Sequence, residues 1–223
     1  MNSSIKEITI IVSSSKHPIN AWIDSWVSLN FKHYNIDFIR NSSEAKGGDL
    51  CFLISCNEII QPSIVEKYKK VLLIHASDLP SGRGWSPHIW TILEGGEEIS
   101  ISLLEASEKI DRGDIWHKLH YEVPKYFLYN DIINIINSSH IELINFAIKN
   151  FNTIKPSPQD TSVKPTYYRK RSQKDSKISE TKSISEQFDN IRICDYERFP
   201  AFFELYGKKF KIKIEHYDEE NDN

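Results

Sequence analysis

The chain has 223 residues, 39% of them hydrophobic and 12% aromatic, with a formal net charge of −3. That size and apolar content support one globular domain with a small appendage. The near-neutral charge argues against nucleic-acid binding through a global basic field, and no run of about 18 apolar residues is there to span a membrane.

In chain order, residues 6–13 (KEITIIVS) are β-branched and apolar, a buried strand by composition and not a signal peptide, because no small-residue cleavage site follows. His17 to Lys32 places Ile19, Trp22, Ile23, Trp26, Val27 and Leu29 at helical spacing, and the Trp22/Trp26 stripe reads as core. Asn35 to Arg40 is a second strand. The polar stretch 41–48 is too short for a crossover helix. Asp49 to Ser55 is a third strand, Pro62 to Tyr68 a short helix with Pro in its first turn, and Lys70 to His75 a fourth strand. This rhythm predicts an α/β, Rossmann-like, open and mainly parallel sheet, with ligands beyond the carboxyl ends of the strands. His75 and Cys56 both fall at such ends.

Pro87 to Leu93 reads as a short helix stopped by Gly95 and Gly96, followed by strands at 99–104 and 115–123. Residues 131–151 form a long amphipathic helix. The expected units are a catalytic domain over 1–151, an extended linker over 152–182, a helix-plus-hairpin extension over 183–217, and a disordered acidic tail over 218–223. In the extension, Ser183 and Glu186 have capping-box spacing, and Tyr206–Gly207 turns the hairpin 201–205/208–214. Only eight residues are glycine, about half the usual share, and five of them lie between Gly82 and Gly113. Glycine concentrated in one stretch implies special backbone there.

Two segments carry chemistry. In His75–His88 (HASDLPSGRGWSPH), a histidine closes a buried strand, a Pro/Gly loop follows, and Arg83 precedes a helix N-terminus. Histidine moves protons near neutral pH, and an arginine beside helix N–H groups suits a phosphate. In Ile110–Ile115 (IDRGDI), two carboxylates flank a glycine before a strand. Alone this is a turn; beside His75 it is a carboxylate able to orient an imidazole. His117 and His120 fall on opposite faces of a strand, which argues against zinc. Tyr167–Arg171 (YYRKR) mixes aromatics with cations as single-strand binders do, but in a chain of this charge it reads as linker or phosphate contact. Cys51, Cys56 and Cys194 make no disulfide framework and lack metal spacing, which fits a reducing cytoplasm.

The spacing His75-Ala-Ser-Asp-Leu-Pro-x-x-Arg-Gly-x-x-Pro87, followed by Ile110-Asp-x-Gly-Asp-Ile115, resembles the two signatures of the 10-formyltetrahydrofolate-dependent formyltransferases. Asp49–Gln61 is similar to the strand and loop that hold the pterin in that family, and the resemblance covers roughly residues 5–150. It implies the formyltransferase fold and formyl transfer from 10-formyltetrahydrofolate to an amine, without a metal. The C-terminal stretches Thr166–Asp175 and Ser185–Phe203 look like the tails of sugar N-formyltransferases of pseudaminic-acid-type pathways. The implied acceptor is a nucleotide-linked amino sugar, a UDP-4-amino-4,6-dideoxy-N-acetyl hexose, with no nucleic-acid or membrane partner. The hairpin and last helix offer a homodimer surface.

The family trio is Asn, His and Asp. His75 and Asp111 match; Leu73 stands where the Asn belongs, two residues before the histidine. Asn57 is the favoured replacement oxyanion donor, with Ser77 the other candidate. The resemblance places the pterin against Ser55, Cys56, Ile59 and Ile60 on one side and Lys109, Ile110 and Asp114 on the other. It places the acceptor against Ser77, Arg83, Gly84, Trp85, Ser86, Pro87 and Arg169. Two rival readings are a catalytically impaired module that binds folate or sugar nucleotide, and a formyl-folate hydrolase.

Overall fold

The computed structural model describes residues 5–217; the acidic tail expected at 218–223 lies outside the described residues. Strands β1 (Glu7–Ile11), β2 (Asn35–Ile39), β3 (Gly48–Leu53) and β4 (Tyr68–His75) lie parallel in the order β2-β1-β3-β4. Between them run α1 (Ile19–Asn30) and the single turn α2 (Pro62–Val65). The 41–48 stretch holds only a 3₁₀ turn at Ser42–Glu44. After β4 come β5 (Arg83–Gly84), α3 (Pro87–Leu93), β6 (Glu98–Glu105) and β7 (Ile115–Glu122). β6 and β7 extend the sheet antiparallel from β4, completing six strands. β1 and β3 are buried almost end to end, as strands covered on both faces must be.

α1, α3 and α4 (Tyr129–Asn150) pack one face, burying Ile10, Ile23, Phe52, Leu72, Ile92 and Leu143 in one core. The first turn of α4 is closed by Asp131, whose Oδ2 accepts the Leu128 N–H at 2.9 Å. The expected Trp stripe splits. Trp26 is buried and its indole N–H donates to Asn145 of α4 at 2.9 Å, whereas Trp22 stays 36% exposed. Their spacing of four puts them on one side of α1, but it is Trp26 that reaches Asn145 of α4. The opposite face buries Cys51, Leu53, Tyr68 and Val71 beneath α2.

The chain beyond α4 is tied to the domain. Residues 152–182 are extended apart from a 3₁₀ turn at Gln173–Ser176; Ser157 forms an antiparallel bridge to Ile115, and β8 (Tyr167–Tyr168) pairs in parallel with β5. The single helix expected over 183–194 is a 3₁₀ turn at Ser185–Gln187 followed by α5 (Phe188–Arg192). The Ser183/Glu186 box does form, with Ser183 N–H donating to Glu186 at 2.8 Å. β9 (Ala201–Leu205) and β10 (Lys208–Ile212) make the hairpin. Arg192, buried, donates to the Pro124 and Phe127 carbonyls and seats the extension on the domain. No helix among the described residues is long and apolar enough to cross a membrane.

Candidate active site

Strand alternation fixes what β4 shows to each face. Leu72 and Ile74 enter the helix-covered core, while Val71, Leu73 and His75 face the other way. Leu73 pairs in register with Leu53 of β3 and Leu104 of β6, and it packs on Leu79 and Ile115 as well. The position two before the histidine therefore belongs to an apolar row across three strands.

His75, the last residue of β4, is 8% exposed. Its Nε2 lies 2.9 Å from the Gly82 carbonyl. A carbonyl only accepts, so Nε2 carries the proton and Nδ1 is left as the ring's acceptor. Nδ1 lies 3.7 Å from Asp111 Oδ1. Asp111 is 6% exposed and adopts φ +56°, a conformation few residues other than glycine accept and that Asp tolerates better than most. Its other oxygen accepts the Gly84 N–H at 2.9 Å.

Two glycines make this approach possible. Gly84 has φ +98°, and a Cβ there would strike the Tyr168 carbonyl. A Cβ on Gly113 would overlap the Glu105 carbonyl. The loop 106–114 folds tightly back on β6, with Ala106 N–H donating to Val71 O and Glu105 N–H to Asp114 O.

The extended segment joins both loops. Gly82 N–H donates to Thr166 Oγ1 at 2.8 Å, and Arg83 N–H to the Thr166 carbonyl at 3.0 Å. Gln159 Nε2 donates to the Asp111 and Gly113 carbonyls at 2.8 and 3.1 Å, and its Oε1 accepts from Arg83 at 2.5 Å. Sequence reasoning missed Gln159 and Thr166 as parts of the site; no local pattern marks a lone polar side chain in an extended segment. The prolines at 156, 158 and 165 were the one hint that this stretch runs straight enough to lie along the domain.

The expected site residues fall into three groups. Ser77, Arg83, Gly84 and Pro87 come together around His75, but mostly as framework. Arg83 is buried, and its guanidinium donates to Gln159 and to the Tyr167 hydroxyl at 3.0 Å, which corrects its reading as a ready phosphate fork. Ser77 Oγ is enclosed without a hydrogen-bond partner, and its carbonyl accepts from Ser102 at 2.7 Å.

A second group is exposed nearby. Trp85 carries Lys170 Nζ 4.4 Å above its ring, and Ser86, at φ +48°, turns the chain into α3. Arg169 lies 4.8 Å over Trp90 and pairs with Asp175. Trp90, Glu94 and residues 166–169 line an open groove of about 430 Å³. Tyr167 accepts from Arg83 and, at 2.9 Å, from Arg112, and these two cations hold its phenol below the usual value.

The third group flanks the site as two loops. Ile59 (69% exposed) and Ile110 (61% exposed) present bare apolar surface, and Ile60 is half-buried on the α2 side. Ser55, at φ +48°, bonds His17 at 3.1 Å, and the Lys109 carbonyl accepts from Ser107 at 2.7 Å. Partial burial pushes the Cys56 thiol up. Asp114 is exposed, and its carbonyl closes the loop onto Glu105. Asn57 is exposed with its backbone N–H on Ser13 Oγ at 3.0 Å, and it shares no hydrogen bond with His75 or Asp111. Its expected oxyanion role gains no support from this placement. His117 stacks on Phe146 at 4.2 Å while His120 bonds Ser100 at 2.9 Å, so strand alternation separates them. Among the described residues no cluster of His, Cys, Asp and Glu has the makings of a metal site.

Burial keeps His140 and His88 neutral. Loss of solvation pushes His140 of α4 down to about 4 and His88 of α3 to about 3. His140 Nδ1 donates to the Ile136 carbonyl at 2.5 Å, one helical turn back.

Residues 27–133 match the formyl transferase family. Methionyl-tRNA formyltransferase of Rickettsia bellii (strain RML369-C) is 26% identical over 219 residues, spanning 95% of this chain and 70% of that protein. The chain spans 44–58% of the length of seven other methionyl-tRNA formyltransferases it matches. Among solved structures, HypX from Aquifex aeolicus in complex with tetrahydrofolic acid superposes with a TM-score of 0.77 at 21% identity, covering 93% of this chain and 37% of that one. A 4-N formyltransferase from Francisella tularensis gives 0.69 at 17% identity, covering 96% and 98%. At those identities the likeness is one of fold, and it is the fold on which the His75–Asp111 pair is mounted. The matched family pattern, the Rickettsia relative and the paired signature residues all point to the formyl transferase family.

Proposed function

We propose that this chain transfers the formyl group of 10-formyltetrahydrofolate to the amine of a nucleotide-linked amino sugar, of the UDP-4-amino-4,6-dideoxy-N-acetyl class. The observation that carries formyl transfer is the buried His75–Asp111 pair, with His75 Nε2 committed to a carbonyl and Nδ1 turned to the carboxylate.

A neutral amine attacks the formyl carbon, and the new C–N bond turns the carbonyl into an oxyanion. The amine proton passes to His75 Nδ1. Asp111 stabilises the imidazolium so formed, and the proton then goes to N10 of the folate as the old C–N bond breaks. The products are the formamide and tetrahydrofolate. General acid–base help of this kind contributes about 10²–10⁴ in rate.

The donor fits what the two flanking loops offer. A flat pterin gains from apolar contact on its faces and backbone groups at its edge, and Ile59 and Ile110 stand exposed for it. The acceptor's diphosphate has Arg112 and Lys170 beside Tyr167 and Trp85, while Arg83 supports the loop from behind.

Transfer to methionyl-tRNA is the second reading. It is favoured by the methionyl-tRNA formyltransferases among the similar proteins, and by the lysines Lys208, Lys209, Lys211 and Lys213 along and just past the hairpin. A panel of nucleotide amino sugars and methionyl-tRNA, each with 10-formyltetrahydrofolate, separates the two. Turnover with a sugar nucleotide and none with the tRNA is expected. His75→Ala and Asp111→Ala are expected to lose about 10²–10⁴ of that rate; near wild-type rates in both would remove formyl transfer at this site.

A further inference from the structure

A primary amide offers two N–H donors and one carbonyl acceptor. Gln159 spends both functions on the site. Its nitrogen bridges the Asp111 and Gly113 carbonyls, and its oxygen takes a hydrogen bond from Arg83. The residue after Arg83 is Gly84, whose N–H holds the Asp111 carboxylate. Arg83, Gln159, Asp111 and Gly84 thus close a ring in which Asp111 is gripped at its peptide and at its side chain.

The grip answers a specific need. Asp111 is held at φ +56°, which costs an L-residue about 1–2 kcal/mol. A strained residue persists only where its surroundings over-determine it. The peptide orientation at Asp111 sets where its carboxylate leaves the chain, and so whether Oδ1 meets His75 Nδ1. Gln159 is itself anchored two residues past the Ser157–Ile115 bridge, where paired N–H···O contacts of 2.7 and 3.0 Å tie the segment to the start of β7.

We propose that Gln159 is a positioning residue for formyl transfer, holding the Asp111 peptide so that the carboxylate meets His75 before substrate arrives. The proposal rests on the reading that His75 and Asp111 are the reacting pair. The Gln159 side chain bonds the Asp111 and Gly113 carbonyls and Arg83, not the Asp111 carboxylate or His75; it acts through Asp111. A misplacement on the order of 1 Å costs about 10² in rate.

The test compares Gln159→Leu and Gln159→Glu in the full chain, with Asp111→Asn as reference. Leu removes both donors and the acceptor. Glu keeps an acceptor for Arg83 but puts oxygens where the two donors stood. Transfer is measured with 10-formyltetrahydrofolate and whichever acceptor of the panel turns over. The ¹⁵N resonances of the His75 ring are read in the free protein, and the melting temperature of each variant is recorded. Both Gln159 variants are expected to lower kcat by about 10- to 100-fold, with KM for either substrate changed less than about threefold. Both should move the Nδ1 resonance in the direction seen with Asp111→Asn, and Glu should melt above Leu because it keeps the Arg83 contact. If Asp111→Asn moves the Nδ1 resonance while neither Gln159 variant does, and kcat falls only with the folded fraction, the positioning role is overturned. If Asp111→Asn neither moves that resonance nor slows transfer, the reading of the His75–Asp111 pair fails instead.

Discussion

His75 and Asp111 stand 3.7 Å apart and are placed by different means. His75 ends β4, which is hydrogen-bonded to neighbours on both sides, and its position follows from the six-stranded sheet. Asp111 sits in a loop, in a left-handed conformation, and is held by Gly84 from one loop and Gln159 from a segment 48 residues away. One partner is fixed by regular secondary structure; the other depends on a few side-chain and backbone contacts that substitution can remove singly.

That contrast is open to attack from the Asp111 side. Gly113→Ala sets a Cβ against the Glu105 carbonyl, so the loop must shift. It is expected to cost about 10² in kcat, and overpacking of about 1–3 kcal/mol should show as a lower melting temperature. Gly95→Ala meets open space but is strained at φ +86°, so as the control it should lower the melting temperature and leave kcat unchanged. A Gly113→Ala enzyme with full activity would show that the loop tolerates displacement.

Arg83→Met comes next. It keeps the buried stem but removes the bonds to Gln159 and Tyr167, and kcat is expected to fall about tenfold with a loss of about 1–3 kcal/mol in stability by chemical denaturation. An effect only on the KM of the acceptor would instead restore Arg83 to direct substrate contact.

On the sheet side, Leu73→Asn puts an amide into the Leu53–Leu73–Leu104 row. It should lower the melting temperature by a few degrees, about 1–3 kcal/mol. It should also raise kcat a few-fold by bringing an N–H donor to the face that carries His75. An unchanged kcat would show that the oxyanion is served from elsewhere.

The last effect concerns pH. His140 is neutral in the folded protein, its value pushed down to about 4 by burial, whereas an unfolded histidine titrates near 6.5. Between those values the unfolded chain binds more protons, so stability is complete above about pH 6.5 and falls as pH drops toward 4. The melting temperature is expected to decline over that window, and less steeply in His140→Gln. Parallel curves for the two proteins would remove His140 as a cause.

Much of this was legible in the residues. The β-branched runs gave the first four strands, because continuous apolar stretches suit a sheet covered on both faces. His75 stands out by its place at a strand end, and Asp111, in a segment that alone reads as a turn, stands out only together with His75 and the paired signatures. What local pattern does not encode is contact at a distance. The identity of Gln159 says nothing of Asp111 until the chain has folded back, so the segment read as a spacer. Trp22 and Trp26 share a helical stripe, yet their burial differs because α4 covers only part of α1. Arg83 looked like a phosphate ligand by type; its place beneath Tyr167 and Gln159 is a tertiary fact.

The Ser157–Tyr168 segment has a consequence for the order in which the protein comes into being. A nascent chain that has emerged only through α4 holds all six strands of the sheet and both signature loops. It lacks Gln159 to hold the Asp111 peptide, and Thr166 and Tyr168 to pair with the 82–85 loop. The sheet's last strand ends at Glu122, and the loops that carry His75 and Asp111 are tied together only when the return segment is laid across them. A single cut in that segment after synthesis would then separate a folded sheet from a working site.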